Sequence, residues 1–248
     1  MTYNDRMLTG HPMSEDTRKL FAQCSSATLS TLLVKRGLRN TALRGVRPLR
    51  PGLPPMVGPA FTLRYIPARE DIDAYGSGGD PANLQRQAIE VSPTGHVFII
   101  DCRNDPDIAG IGSILARRLH ERGLTGIVLD GGVRDTTSIA GFDIPCYCAG
   151  PAVPPNYAGH HAADINGPIS CGGVAVYPGD IVFGDSEAVI IVPRHMADDL
   201  AAEGAAMEHR ERFLITEIES GRSIAGVYPP NAETLARYEV WSKTNPQG

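Results

Sequence analysis

The sequence predicts an α/β fold, and three observations carry that expectation. Two apolar runs, His96-Val-Phe-Ile-Ile-Asp101 and Gly126-Ile-Val-Leu-Asp130, flank a helical stretch over about 108–122 that Gly123 ends. Strand, helix and strand in that order make a βαβ unit, whose strands run parallel with a right-handed crossover. A further strand, Ile144-Pro-Cys-Tyr-Cys148, follows the turn at Gly131-Gly132, so strands and helices alternate as in a sheet covered by helices.

From the N-terminus, residues 14–37 read as helix in two pieces. Ser14 caps the first and Ser25 or Ser26 the second; Leu29, Leu32 and Leu33 share a face, and Gly37 stops it. A passage rich in Pro and Arg leads into Val57–Ile66, where Phe61, Leu63 and Tyr65 alternate with Thr62 and Arg64, the pattern of a half-buried strand. Pro81 opens a short helix over 81–90, and Arg134-Asp135 begins another. Beyond Pro151, Ile169, Val174–Tyr177, Ile181–Phe183 and Val189–Val192 are short β-rich pieces. Pro178-Gly179-Asp180 and Gly184-Asp185-Ser186 supply turns between them, which predicts an antiparallel meander. From Met196 to Gly221, and again around 231–242, an amphipathic helical pattern returns. No linker divides the chain. Residues 1–248 therefore read as one domain, with an N-terminal helical extension (1–54), a core (55–195) and a C-terminal helical tail (196–248).

Composition excludes several classes of function. With 23 Lys and Arg against 28 Asp and Glu, the net charge of −5 does not suit a broadly basic nucleic-acid binder. The longest apolar runs fall far short of the ~20 residues that span a bilayer. The N-terminal residues lack the apolar stretch and cleavage site of a secretory signal, so the expectation is a cytoplasmic protein with neither membrane nor nucleic-acid partner. Cys24, Cys102, Cys146, Cys148 and Cys171 show neither C-x-x-C nor zinc-finger spacing and read as reduced core residues. Lysine occurs only at positions 19, 35 and 243, in terminal helical regions, whereas Schiff-base and pyridoxal enzymes need a positioned lysine on the core. Serine-hydrolase, P-loop and zincin motifs are absent.

Chemistry concentrates in Gly126–Asp135, a strand ending in Asp130, a glycine pair, and then adjacent Arg134 and Asp135. Ligands of α/β folds gather outside the carboxyl ends of parallel strands. Asp101 and Asp130 both end strands of that kind, and such oxygen donors suit a hard divalent cation. The structural alternative is that Asp130 and Asp135 cap turns while Arg134 pairs with one of them. Ala109–Ile114 opens the intervening helix, whose first N–H groups attract a carboxylate or phosphate, although small residues there also serve close packing. A helix N-terminus, one arginine and a metal carboxylate together would bind a small 2-oxo acid at its carboxylate and its ketone. His160-His161, with Asp164, reads mainly as structural or solvent-facing, with acid/base work on a distal substrate group as the lesser alternative. Glu187 is a further candidate, in a turn.

The ordered set Gly110–Ala116, Arg122-Gly123, Gly126–Asp135, Gly172–Asp180, Asp185 and Val189–Pro193 resembles the family of the regulator of ribonuclease activity A (RraA) and 4-hydroxy-4-methyl-2-oxoglutarate aldolase. The resemblance covers residues 55–195. The longer termini look like a longer subgroup named only as regulator-like. What it implies is a swivelling β/β/α domain assembled as a homotrimer or homohexamer, with sites at subunit boundaries. The family's metal-binding Asp falls on Asp135 and its carboxylate-binding Arg on Arg134; its substrate-cradling backbone falls on Gly112, Ser113, Ile114 and Leu115. The implied cofactor is Mg²⁺ or Mn²⁺. The implied activity is that of a lyase on a 2-oxo acid, either a pyruvate-forming aldolase or an oxaloacetate decarboxylase. Two other readings are a non-catalytic regulator that binds an endoribonuclease, and a metal-dependent dehydratase or tautomerase of a sugar-acid derivative. Ser113 stands where the aldolases carry an Asp that holds metal-bound water, so decarboxylation is expected to outlast retro-aldol cleavage. The acidic residue that a neighbouring subunit supplies in the family has no assigned position here.

Overall fold

The computed structural model describes residues 12–73, 80 and 82–246. Helices α1 (Glu15–Phe21) and α2 (Ser26–Lys35) begin at the predicted caps: Ser14 Oγ accepts from Thr17 N at 3.0 Å and Ser25 Oγ from Thr28 N at 3.1 Å. Strands β1 (Arg47–Pro48) and β2 (Met56–Pro67) follow. Pro81 lies outside the described residues. Helix α3 (Leu84–Val91) starts at Asn83, whose Oδ1 accepts from Arg86 N at 3.1 Å. Next come β3 (Val97–Asp101), β4 (Ala109–Ile111), α4 (Ser113–Glu121), β5 (Gly126–Leu129), β6 (Gly132–Val133), α5 (Thr136–Ala140), β7 (Cys146–Cys148) and β8 (Gly150–Pro151). The remainder comprises β9 (His160–Ile165), β10 (Ile169–Cys171), β11 (Val174–Val176), β12 (Ile181–Gly184), β13 (Val189–Val192), α6 (Ala197–Glu219) and α7 (Ala232–Thr244).

The main sheet runs β1-β7-β5-β3-β2-β12-β13, with β2, β3, β5 and β7 parallel as the βαβ reading required. β2 pairs with β3 from Ala60 to Arg64. It also pairs antiparallel with β12 along Met56–Pro59 and with β9 along Leu63–Pro67. The predicted alternation holds at Leu63, Arg64 and Tyr65, where Arg64 is exposed, and fails at Thr62: the β10–β11 hairpin covers that face, and Thr62 is fully buried with its hydroxyl donating to the Gly167 carbonyl at 2.5 Å.

Alternate residues of a strand face opposite ways, so the unbroken run Val97–Ile100 serves two cores. Phe98 and Ile100, with Phe61, Leu63 and Leu129, pack against Ile89, Leu119 and Ile139 of the helices. Val97 and Ile99, with Ala60 and Val128, pack against Ile169, Cys171, Val174 and Val176 of the β10–β11 hairpin. Each such side chain, fully buried, contributes about 1.5–3 kcal/mol. A third core joins Phe21, Leu29 and Leu33 of the N-terminal helices to Leu200 of α6 and to Val57, Ile181 and Phe183 of the sheet. The five cysteines are free and buried.

Two expectations need correction. The pieces after Pro151 form two separate hairpins rather than one meander, because β12 pairs with β2 and not with β11. The helix predicted over 108–122 starts at Ser113. Before it, Ala109–Ile111 pairs parallel with Gly132–Val133, in a small sheet ordered β4-β6-β8. Gly110 permits this: a Cβ there would lie 2.7 Å from Cys102 Sγ and 2.8 Å from a Leu129 methyl.

Candidate active site

The small sheet carries the strand-end site one layer beyond β3 and β5. β4 ends in Ile111, directly before Gly112 and Ser113; its parallel neighbour β6 ends in Val133, directly before Arg134 and Asp135. Arg134 N donates to the Ile111 carbonyl at 3.0 Å, which locks the two strand ends together. Asp135 then adopts a left-handed backbone, φ 57° and ψ 38°. Aspartate tolerates that conformation better than most residues, and strained backbone of this kind concentrates at functional sites. The turn aims its carboxylate at the first turn of α4, where Oδ2 accepts from Ser113 N at 3.1 Å and from Ser113 Oγ at 3.0 Å. Gly112 admits the approach, since a Cβ there would sit 3.2 Å from the same oxygen.

These Ser113 hydrogen bonds, the backbone one first, hold the Asp135 carboxyl below its ordinary pKa, and the Arg134 charge adds to the effect. Arg134 and Asp135 are both exposed, and no hydrogen bond or ion pair joins them among the described residues. The Ser113 N–H expected to meet a substrate is thus already engaged. Ile114 and Leu115 follow in the first helical turn, whose N–H groups have no carbonyl one turn earlier.

Asp101 and Asp130 do not belong to the site. Asp130 is buried and accepts from Cys102 N at 2.6 Å and Gly172 N at 3.0 Å; Asp101 accepts from Arg103 N at 2.9 Å and Ser170 N at 3.3 Å. Both tie the ends of β3 and β5 to neighbouring loops. Burial raises both carboxyl pKa values, against the lowering effect of those N–H groups. Glu187 sits in the β12–β13 turn, where its N–H donates to Asp185 Oδ1 at 2.9 Å. Neither Glu187 nor Asp164 lines the cavity described next.

A cavity of about 590 Å³ opens over Gly110–Leu115, Arg134 and Asp135, within the usual range for small-molecule sites. Its other walls come from the start of α3, from Asn156 and Tyr157, from Asp73 and Asp80, and from His160 and His161. The two histidines do have different surroundings. His160 is buried, stacked on Tyr65 with centroids 5.0 Å apart, and burial followed by the Arg103 charge lowers its pKa. His161 Nδ1 lies 2.7 Å from Asp73 Oδ1. Sequence reasoning missed Asp73 and Asp80, which no strand end or motif marks.

Among the described residues no three His, Cys, Asp or Glu side chains converge to enclose a metal ion. Asp135 nonetheless offers an ionised carboxylate with one oxygen fixed by Ser113, facing the cavity. A hard oxygen donor of that kind fits Mg²⁺ or Mn²⁺, which keep several waters and take only one or two protein carboxylates.

The profile of the RraA-like family, described as Aldolase/RraA, matches residues 26–191, from the start of α2 into β13 and including the whole strand-end site. The chain belongs to the RraA-like family. Protein DlpA of Legionella pneumophila is 28% identical over 201 residues, which are 81% of this chain and 31% of DlpA; this RraA-like chain therefore spans about a third of that relative's length. A protein of Halalkalibacterium halodurans, provisionally named a 4-hydroxy-4-methyl-2-oxoglutarate aldolase, is 28% identical over 172 residues, 68% of this chain and 76% of its own. The crystal structure of Streptomyces coelicolor RraAS2, described as an unusual member of the RNase ES inhibitor RraA protein family, superposes with a TM-score of 0.73 at 26% identity, covering 83% of this chain and 98% of that one. The RraA-like swivelling β/β/α fold is thereby shown, with helices added at the C-terminal end. No helix among the described residues is long and apolar enough to cross a membrane.

Proposed function

We propose that this RraA-like protein is a Mg²⁺- or Mn²⁺-dependent lyase acting on small 2-oxo acids, of the pyruvate-forming aldolase or oxaloacetate decarboxylase type. The observation that carries the reading is the meeting of an ionised Asp135, an exposed Arg134 and the first turn of α4 in one cavity. Asp135 would hold the metal, which when bound polarises the substrate's ketone and draws electrons from the bond that breaks. Arg134 clamps the substrate carboxylate through its planar fork. The N–H groups of Ile114 and Leu115, at the positive end of α4, face negative charge as it develops on the substrate. Ser113 keeps Asp135 ionised and oriented. The core shared by the N-terminal helices, the sheet and α6 supports treating residues 1–248 as one RraA-like unit, and we infer a closed homotrimer or homohexamer, checked by light scattering against the 26.5 kDa chain.

The test is pyruvate release from oxaloacetate and from 4-hydroxy-4-methyl-2-oxoglutarate, with Mg²⁺, Mn²⁺ or EDTA. Metal-dependent release supports the reading, and its absence on both substrates removes it. Arg134→Ala should raise KM by roughly 10- to 100-fold with a smaller change in kcat, since a charge-assisted hydrogen bond is worth about 1.5–3 kcal/mol. In Ser113→Asp the hydroxyl donor to Asp135 is replaced by a second carboxylate. The ratio of retro-aldol cleavage to decarboxylation should then rise, and an unchanged ratio would show that position 113 does not set it.

The RraAS2 likeness favours a second reading, a regulator that binds an endoribonuclease. Endoribonuclease inhibition that persists in a variant lacking the Asp135 carboxylate, without metal-dependent turnover in the wild type, would favour it.

A further inference from the structure

His161 and Asp73 form a second polar pair in the wall of the same cavity, on elements distinct from those that carry Arg134 and Asp135. Asp73 is held from behind: its Oδ2 accepts from Arg69 N at 2.9 Å, and only 12% of its side chain is exposed. Its Oδ1 lies 2.7 Å from His161 Nδ1. A carboxylate oxygen accepts, so in this pair Nδ1 carries the hydrogen, which leaves Nε2 as the ring nitrogen that can offer a lone pair. His161 keeps 34% of its side chain exposed, whereas His160 beside it is buried on Tyr65.

We propose that His161 is the base for the hydroxy-acid branch of the lyase reading, and that Asp73 is its positioning residue. The inference rests on that reading. In the step, Nε2 takes the proton of the hydroxyl on C4 of a 4-hydroxy-2-oxo acid. The O–H electron pair becomes the new carbonyl bond at C4 as the C3–C4 bond breaks, and the C3–C4 pair passes to C3. Return of a proton to C3 completes pyruvate, with the second carbonyl compound as the other product. Oxaloacetate loses CO₂ without surrendering a hydroxyl proton, so its decarboxylation does not use His161.

The two branches separate in one experiment on the full chain with Mg²⁺. His161→Gln should lower kcat on 4-hydroxy-4-methyl-2-oxoglutarate by about 100-fold or more, the usual scale of general-base catalysis, and leave oxaloacetate decarboxylation within about threefold. Decarboxylation doubles as the control for folding. Asp73→Asn should lower kcat on the hydroxy acid about tenfold with KM unchanged, and should release His161 from the Nδ1–H tautomer in ¹⁵N NMR spectra. Equal losses on both substrates, or none on the hydroxy acid, would overturn the proposal. A wild type that decarboxylates oxaloacetate but never cleaves the hydroxy acid overturns it and leaves the lyase reading standing. Turnover of neither substrate overturns both.

Discussion

Asp135→Asn should lower metal-dependent pyruvate release by more than about 100-fold, because even partners that merely orient a metal ligand cost 10- to 100-fold when lost. The thermal transition should stay within about 2 °C of wild type. Asparagine suits this position unusually well: it tolerates the left-handed backbone, and its amide oxygen still accepts from Ser113 N and Oγ. What it removes is the negative charge. Asp135→Ala would add backbone strain to the loss of the carboxylate and so confuse stability with chemistry. Steady-state rates across a Mg²⁺ titration, beside Mn²⁺ binding followed by electron paramagnetic resonance, supply the check. Undiminished metal-dependent turnover in Asp135→Asn would mean that Asp135 is a helix cap and nothing more.

Asp130→Ala should act on stability instead. It strands the buried N–H groups of Cys102 and Gly172, each costing about 1–3 kcal/mol when left unpaired. A total near 3 kcal/mol lowers Tm by about 6–12 °C in a chain of this size. The pH dependence has a definite sign. Burial places the folded-state pKa of Asp130 above the ordinary carboxylate value. Between the two values the native state binds more protons than the unfolded state, so Asp130's contribution declines as pH rises through that window and levels off above it. The Tm gap between wild type and variant, measured by calorimetry, should therefore narrow across that range. A gap that widens would show that the two N–H groups outweigh burial.

What the sequence disclosed and what it hid follow from where each signal resides. Ser14, Ser25 and Gly123 act within one turn of their helices, and Val97–Asp101 is apolar enough to be a strand in any context, so all of these were legible. β9 was not, because His160–Ile165 holds a single β-branched residue and is half-exposed; it is a strand only because the edge of β2 needs a partner. Asp101 and Asp130 were placed at the ligand edge because the sequence shows strands ending in Asp, but not that the chain continues into a second small sheet. Arg134, Asp135 and Gly112–Leu115 do line one cavity, and only distance could reveal that Asp135 and Ser113 touch. His161 is visible in the sequence as a lesser acid/base candidate, but its partner Asp73 is not, since nothing local connects residues so far apart.

The double edge of β2 also governs how the molecule assembles in time. Leu63 pairs with Ile165 and Pro59 with Ile181, partners about a hundred residues apart, and such closures are paid for in chain entropy before they return any contact. The βαβ unit can form early from neighbouring residues. The β9 wall of the cavity arrives only with the long-range pairing. Folding should accordingly be slow for a chain with this much helix, and a fragment ending near residue 151 would carry Arg134 and Asp135 without the enclosure that lets them act. Competence to bind thus waits on the pairing of β9 with β2, so ligand binding during refolding reports that long-range step.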